Sequence, residues 1–216
     1  MEYLDYFDAN YHLLGQAEKK EVHLKGLWHR AFHCWIFTSN REVVLQLRSK
    51  HIVSNPNVLD ISSAGHIQAG EMPIDGGLRE LEEELGIKAQ EKDLIPLGKL
   101  QHAYDTVYSD GAPNMNREFQ HVFLFRCDKD LSEYRLQREE LDGIYKASLE
   151  DLLKLFNGEV RHISVSGYLF DENDRLTPDH REVCRTNFNM ELSSDCFRTV
   201  FVMIERALDG RKYFGI

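Results

Sequence analysis

The sequence predicts a mixed α/β or α+β fold, on three observations. Apolar and aromatic runs of strand length recur between turn residues, two segments carry helical periodicity, and strands alternate with helices at intervals. No internal repeat or low-complexity tract interrupts this pattern.

The elements follow in chain order. "EYLDYFDANYHLLGQ" reads as a hairpin turning at Asp8-Ala9-Asn10, and "EKKEVHLKG" as a short helix ending near Gly26. "RAFHCWIF" (30–37) and "EVVLQLR" (42–48) are strands joined by a four-residue turn, and "VLDISSAGHI" (58–67) is a third. A helix opens at Pro73 and stops at Gly86. "LIPLGKLQHAY" (94–104) and "EFQHVFLFRC" (118–127) are strands flanking a polar loop, 105–117, long enough to suspect function. "LDGIYKASLEDLLKLF" is strand then helix, with Ser148 as N-cap and Gly158 beyond the end. Phe197, Val200, Phe201, Ile204 and Leu208 then mark a C-terminal helix.

At 216 residues there is room for one well-cored domain with additions. A hydrophobic content of 42% with 29% charged residues is that of a soluble protein. No apolar run reaches the roughly 18 residues needed to cross a bilayer, and the first residues lack the pattern of a signal peptide, so a cytoplasmic location is expected. Twenty-six basic against thirty-six acidic residues give a net charge of −10, which argues against nucleic acid and membranes as partners. The four cysteines show no metal-site spacing and are expected as reduced thiols. A homodimer is the default expectation for assembly.

The chemistry is concentrated in "GHIQAGEMPIDGGLRELEEELGI", residues 65–87. At about 100° per residue, Ile74, Leu78, Leu81 and Leu85 share one helix face. Glu80, Glu83 and Glu84 share another, and Glu82 faces neither. Like charges at these offsets repel, so a cation is expected there. Carboxylate oxygens suit Mg²⁺ or Mn²⁺, which also bind substrate phosphates. Arg79, four residues before Glu83, is placed to orient it. Gly76 and Gly77 each weaken a helix by about 1 kcal/mol relative to alanine, so a close approach by another backbone segment or a ligand is expected over them.

These residues resemble the signature of the Nudix hydrolases: Gly65, Glu71, Arg79, Glu80, Leu81, Glu83, Glu84, Gly86 and Ile87 match at the family's spacing. Nine constrained positions coincide by chance at roughly one in a billion per starting point. The resemblance implies a mixed sheet sandwiched between helices over residues 28–165, with an N-terminal hairpin and helix (1–27) and a C-terminal helical extension packed on the domain (166–216). It also implies a Mg²⁺-dependent (or Mn²⁺-dependent) hydrolase cleaving a small-molecule diphosphate, such as a nucleoside diphosphate derivative. Glu80, Glu83 and Glu84 would bind the metal, with Glu71 and the carbonyl near Ala64 completing its shell. Glu80 or a later glutamate would act as general base and Arg79 would orient Glu83. The family usually carries small residues such as alanine where Gly76 and Gly77 stand.

The flanks "GLWHRAFHCWIF" and "NREFQHVFLF" are similar to the Nudix branch of type I isopentenyl-diphosphate isomerases. Those enzymes use a Cys-Gly-His thiol where this chain has Ala64, Gly65 and His66, and they lack the glutamates matching Glu80 and Glu83. The chain therefore keeps the hydrolase set and not the isomerase nucleophile. The branch implies metal roles for Glu118, His66 and His29, each of which also reads as a packed or salt-bridged side chain. Arg48 and Lys50 are candidates for phosphate contacts, and Tyr104 and Tyr108 for the organic group of the substrate. Isomerase chemistry, and a non-catalytic ligand-binding module, are the alternative readings.

Overall fold

The strand β3, Trp28–Phe37, is the axis of the molecule, because nearly all its residues are buried and they alternate between two cores. In this computed structural model, which describes residues 1–107, 111–189, 191–212 and 214–216, Phe32, Cys34 and Ile36 pack toward α2 (Pro73–Leu85), against Leu81 and Leu85. Trp35 and Phe37 pack on the other face, with α3 (Leu149–Asn157) and α4 (Ser194–Leu208). The next strand, β4 (Glu42–Arg48), repeats the alternation, with Val44 on the α2 side and Val43, Leu45 and Leu47 on the other. The fold is thus the expected α+β arrangement, a sheet between helices. No helix among the described residues is long and apolar enough to cross a membrane.

The hairpin β1 (Tyr3–Phe7) and β2 (Leu13–Glu18) joins the N-terminal end of β3 through Tyr6 and Phe7, and α1 (Lys19–Lys25) follows, closed by Gly26 at φ 60. The expected strand 58–67 is two pieces that change partner: β5 (Leu59–Asp60) pairs with β4, and β6 (Ser63–His66) with β3. At the joint the Ser62 hydroxyl accepts from the Ile36 amide at 2.7 Å and donates to the Val44 carbonyl at 2.5 Å, filling the gap left between diverging strands.

The expected loop 105–117 is mostly strand. β7 (Leu94–Val107) and β8 (Pro113–Arg126) remain paired out to Val107 and Pro113, and β8 runs parallel to β3 from His29/Glu118 onward. Tyr108 lies outside the described residues. After β9 (Leu141–Ser148), a hairpin of β10 (Ile163–Phe170) and β11 (Leu176–Val183) continues the sheet. Residues after 166 therefore begin with strand and only then form α4, so the extension is not helical throughout. Phe197, Val200, Phe201 and Ile204 of α4 are fully buried, each burial contributing roughly 1.5–3 kcal/mol.

Candidate active site

The site is a cavity of about 590 Å³ enclosed by α2 and β6 on one side, by α1 and the facing ends of β7 and β8, and by the loop after β4. Pro73 opens α2 and Gly86, at φ 66, ends it, so its acidic face is held at a fixed height along the cavity wall. Arg79 organises that face. Its guanidinium holds Glu71 through Nε and Nη2 at 3.0 and 3.1 Å, and its Nη1 donates to Glu80 at 2.8 Å and Glu83 at 2.9 Å. A further bond reaches the His66 carbonyl at 3.2 Å. Burial opposes a charged Glu71, but Arg79 outweighs it and holds that carboxyl below the usual range.

Two carboxylates go in the opposite direction. Burial, and then the charge of Glu80, push Glu84 up to about 8, although the Ser63 hydroxyl donates to it at 2.7 Å and the Ala64 amide at 3.3 Å. Burial also raises Glu80, against the pull of Arg79. Acids held close in a dry wall disfavour their own ionisation, and a divalent cation reverses that. Gly65 allows the arrangement, since a Cβ there would lie 2.2 Å from the Glu80 carboxyl carbon. The glycines of α2 have a different partner from the one expected. A Cβ on Gly77 would enter the Phe32 ring at 2.1 Å, and one on Gly76 would meet Glu71 and Ile67 side chains at 2.9 Å. Side chains, rather than a backbone segment or ligand, occupy that space.

A second donor set stands beside the first. The nitrogens of His23, His29 and His66 lie within 4.8 Å of one another, and Glu118 is 3.9 Å from His29 and 4.0 Å from His66. His29 Nδ1 is bonded to the Leu27 carbonyl at 3.0 Å and His23 Nδ1 to the Asn114 amide oxygen at 2.9 Å. Each Nδ1 therefore carries the proton; the His23 Nε2 lone pair meets His66 Nε2 at 3.2 Å, and the His29 Nε2 lone pair stays open. His29 Nε2 is buried without a hydrogen-bond partner. Desolvation pushes His29 down to about 4 and lowers His23 and His66 as well, so the imidazoles are neutral at pH 7. Burial opposes a charged Glu118, but its carboxyl is held below the usual range, by His29 and His33 where these are protonated and, once they are neutral, by the hydrogen bonds from Gln120 and Asn116. Three neutral imidazoles and one carboxylate can hold a divalent metal ion, so the donors present fit one here as well as at Glu80 and Glu84.

Of the expected site residues, the cavity brings together Arg79, Glu80, Glu83, Glu84, His66, Glu118, Arg48 and Tyr104. Glu71 is turned to Arg79, and Lys50 is exposed away from the cavity. Arg48 lines it, with much of its guanidinium bonded to the Ser54 and Asn55 carbonyls at 2.9 and 3.1 Å. His121 is bonded to Tyr11 outside the cavity. Sequence reasoning missed His23, Lys19 and Glu191. Of these, only His23 left a trace, as a histidine on the inner side of the short helix ahead of Gly26.

A family model described as NUDIX domain matches residues 27–176. An uncharacterized Nudix hydrolase of Clostridium acetobutylicum is 34% identical over 177 residues, covering 81% of this chain and 83% of that protein. An isopentenyl-diphosphate Delta-isomerase of Serratia proteamaculans is 30% identical over 150 residues, covering 64% of this chain and 84% of that protein. The crystal structure of DR0079 from Deinococcus radiodurans has a TM-score of 0.56 at 21% identity, covering 73% of this chain and 90% of that one, a likeness of fold. With the family model spanning most of the chain and a hydrolase relative matched along most of both sequences, the chain belongs to the Nudix family and is a hydrolase acting on diphosphate bonds.

Proposed function

We propose that the protein is a Mg²⁺-dependent or Mn²⁺-dependent hydrolase of a small organic diphosphate, such as a nucleoside diphosphate derivative. The observation that carries this reading is the pair Glu80 and Glu84, two desolvated carboxyls on one cavity wall with raised pKa values. Glu80, Glu83 and Glu84 would hold a divalent ion, with Glu118 and the three histidines as a second site, and such an ion would supply charge neutralisation for the diphosphate and a more acidic water. Arg79 keeps the Glu80 carboxylate oriented through one oxygen, leaving the other to accept a proton from the attacking water. Water adds to phosphorus, the bridging P–O bond breaks, and phosphate or a monophosphate leaves. Lys19, paired with Glu2 at 2.9 Å, and Arg48 line the cavity and would meet the phosphate oxygens, while Tyr104 would border the organic group. As organisation, the segment 1–27 is an added module that completes the cavity through Lys19 and His23, ahead of the domain 28–165 and the extension 166–216.

Screening a panel of diphosphates for Mg²⁺-dependent release of phosphate or of phosphomonoesters tests this. Glu84→Gln is expected to lose orders of magnitude in kcat, and Glu80→Gln about a hundredfold or more. Unchanged turnover of Glu84→Gln at saturating Mg²⁺ would sink the mechanism. A second reading is favoured by the similarity to the Serratia isomerase together with the histidine cluster. It predicts double-bond migration in isopentenyl diphosphate without phosphate release, for which Ala64 offers no thiol.

A further inference from the structure

The cavity also carries a carboxylate that hydrolysis leaves unused. Glu191 lies beyond residue 176, where the family match stops, yet it lines the same cavity as Glu80. Its segment is tightly held. Phe188 bridges Leu59, the Asn189 amide donates to the Leu59 carbonyl at 2.8 Å, and Asn189 Nδ2 donates to Asp60 at 2.9 Å. The Glu191 amide donates to Asn189 Oδ1 at 3.1 Å. Arg48 reaches the same Asp60 at 3.4 Å while binding the Ser54 and Asn55 carbonyls, so Asp60 ties this segment to the loop after β4. Such a fixed frame is what a recognition residue requires.

The surroundings of Glu191 specify its ligand. Burial, with Asp60 and Glu118 adding to it, raises the Glu191 carboxyl against hydrogen bonding from Tyr104 and Asn55. A carboxylate in that setting is stabilised by incoming donors and is left poorly satisfied against hydrocarbon. Asn189 is engaged by Asp60 and by the Glu191 amide, and the Tyr104 hydroxyl accepts from Asn116 at 2.8 Å, so the acceptor capacity open to a ligand here is that of the Glu191 carboxylate, which the O–H groups of a ligand can meet.

We propose that Glu191 is a specificity-determining residue that accepts hydrogen bonds from vicinal hydroxyls on the organic group of the substrate. Sugar-bearing or nucleoside-bearing diphosphates are thereby preferred to those with a hydrocarbon chain. This rests on the hydrolase reading of the same cavity.

The test measures KM and kcat for a nucleoside diphosphate sugar and for its dideoxy analogue, in the wild type, Glu191→Gln and Glu191→Ala, with melting curves as a folding control. In the wild type, deoxygenation is expected to raise KM about tenfold or more with kcat within about twofold. In Glu191→Ala that factor is expected to fall toward one, with Glu191→Gln between. An equal deoxygenation factor in all three proteins overturns the proposal, as does a wild-type preference for an alkyl or aminoalkyl diphosphate over the hydroxylated one. If no compound is cleaved at its diphosphate bridge, to phosphate or to two phosphomonoesters, the hydrolase reading fails. Calorimetry with methylene-bridged versions of the same pair then decides Glu191: discrimination by the wild type alone supports it, and equal binding, or none, overturns it.

Discussion

At Gly65 a single missing Cβ sets where a carboxylate sits. Gly65→Ala would push the Glu80 carboxyl from its place, and a displacement of about 1 Å near reacting atoms can cost on the order of a hundredfold in rate. The expected outcome is a kcat loss of that size with KM little changed, read by steady-state kinetics on whichever diphosphate is turned over. Glu84 makes a pH prediction of definite sign. Its folded pKa of about 8 lies above the ordinary carboxyl value, so between roughly pH 4.5 and 8 the folded state binds more protons than the unfolded. Its contribution is fully present below that window and is lost as pH rises through it. With chelator present, Glu84→Gln is therefore expected to match the wild type near pH 4.5 and to exceed its stability by a few kcal/mol above pH 8, at about 1.4 kcal/mol for each tenfold difference in proton affinity between the folded and unfolded chains. Equal urea midpoints at pH 8.5 would contradict this. At this scale Arg79, Glu80, Glu83 and Glu84 were legible because one helix sets their spacing. Glu191 was not, because contacts of the neighbouring Phe188 and Asn189 with Leu59 and Asp60, distant in sequence, carry it to the cavity.

At the scale of elements, α2 is fitted to β3 through the Phe32 ring over Gly77. Gly77→Ala gains about 1 kcal/mol of helix propensity but overpacks the interface at a cost of about 1–3 kcal/mol, so a net loss of up to about 2 kcal/mol is expected in urea denaturation. Phe32→Leu in the same chain should recover part of it, and additive losses would refute the contact as cause. The hairpin β7–β8 shows why the reading of 105–117 differs. Its outer half pairs by backbone hydrogen bonds while side chains such as Thr106 and Val107 stay exposed, so no apolar alternation marks it as strand. The hairpin β10–β11 is hidden for the same reason, with Thr177 and Pro178 in the open. By contrast, α2 and α3 were readable because burial on one face writes a period into the sequence, and β3 and β4 because burial on both faces writes a continuous apolar run.

For the whole molecule, the histidine cluster joins parts distant in sequence: His23 from α1, His29 from β3, His66 from β6 and Glu118 from β8. A metal ion bound there ties the N-terminal module to the sheet. Mn²⁺ or Zn²⁺ at a hundred times its dissociation constant should stabilise the fold by about 2.7 kcal/mol and raise Tm. His23→Ala should largely abolish that rise, while an equal rise in the variant would place the ion elsewhere. His23 escaped sequence analysis because nothing local distinguishes it from a packed side chain; its role depends on Asn114 and His66, across the hairpin and the sheet.

The joint at Ser62 has a consequence in time rather than in energy. The Ile36 amide proton is held by a hydroxyl, at the point where one chain segment leaves β4 for β3. That proton can exchange with solvent deuterium only when the two cores part, so its exchange rate clocks how often the floor beneath the carboxylates opens. Ser62→Ala would set that clock running faster while leaving every cavity side chain in the chain.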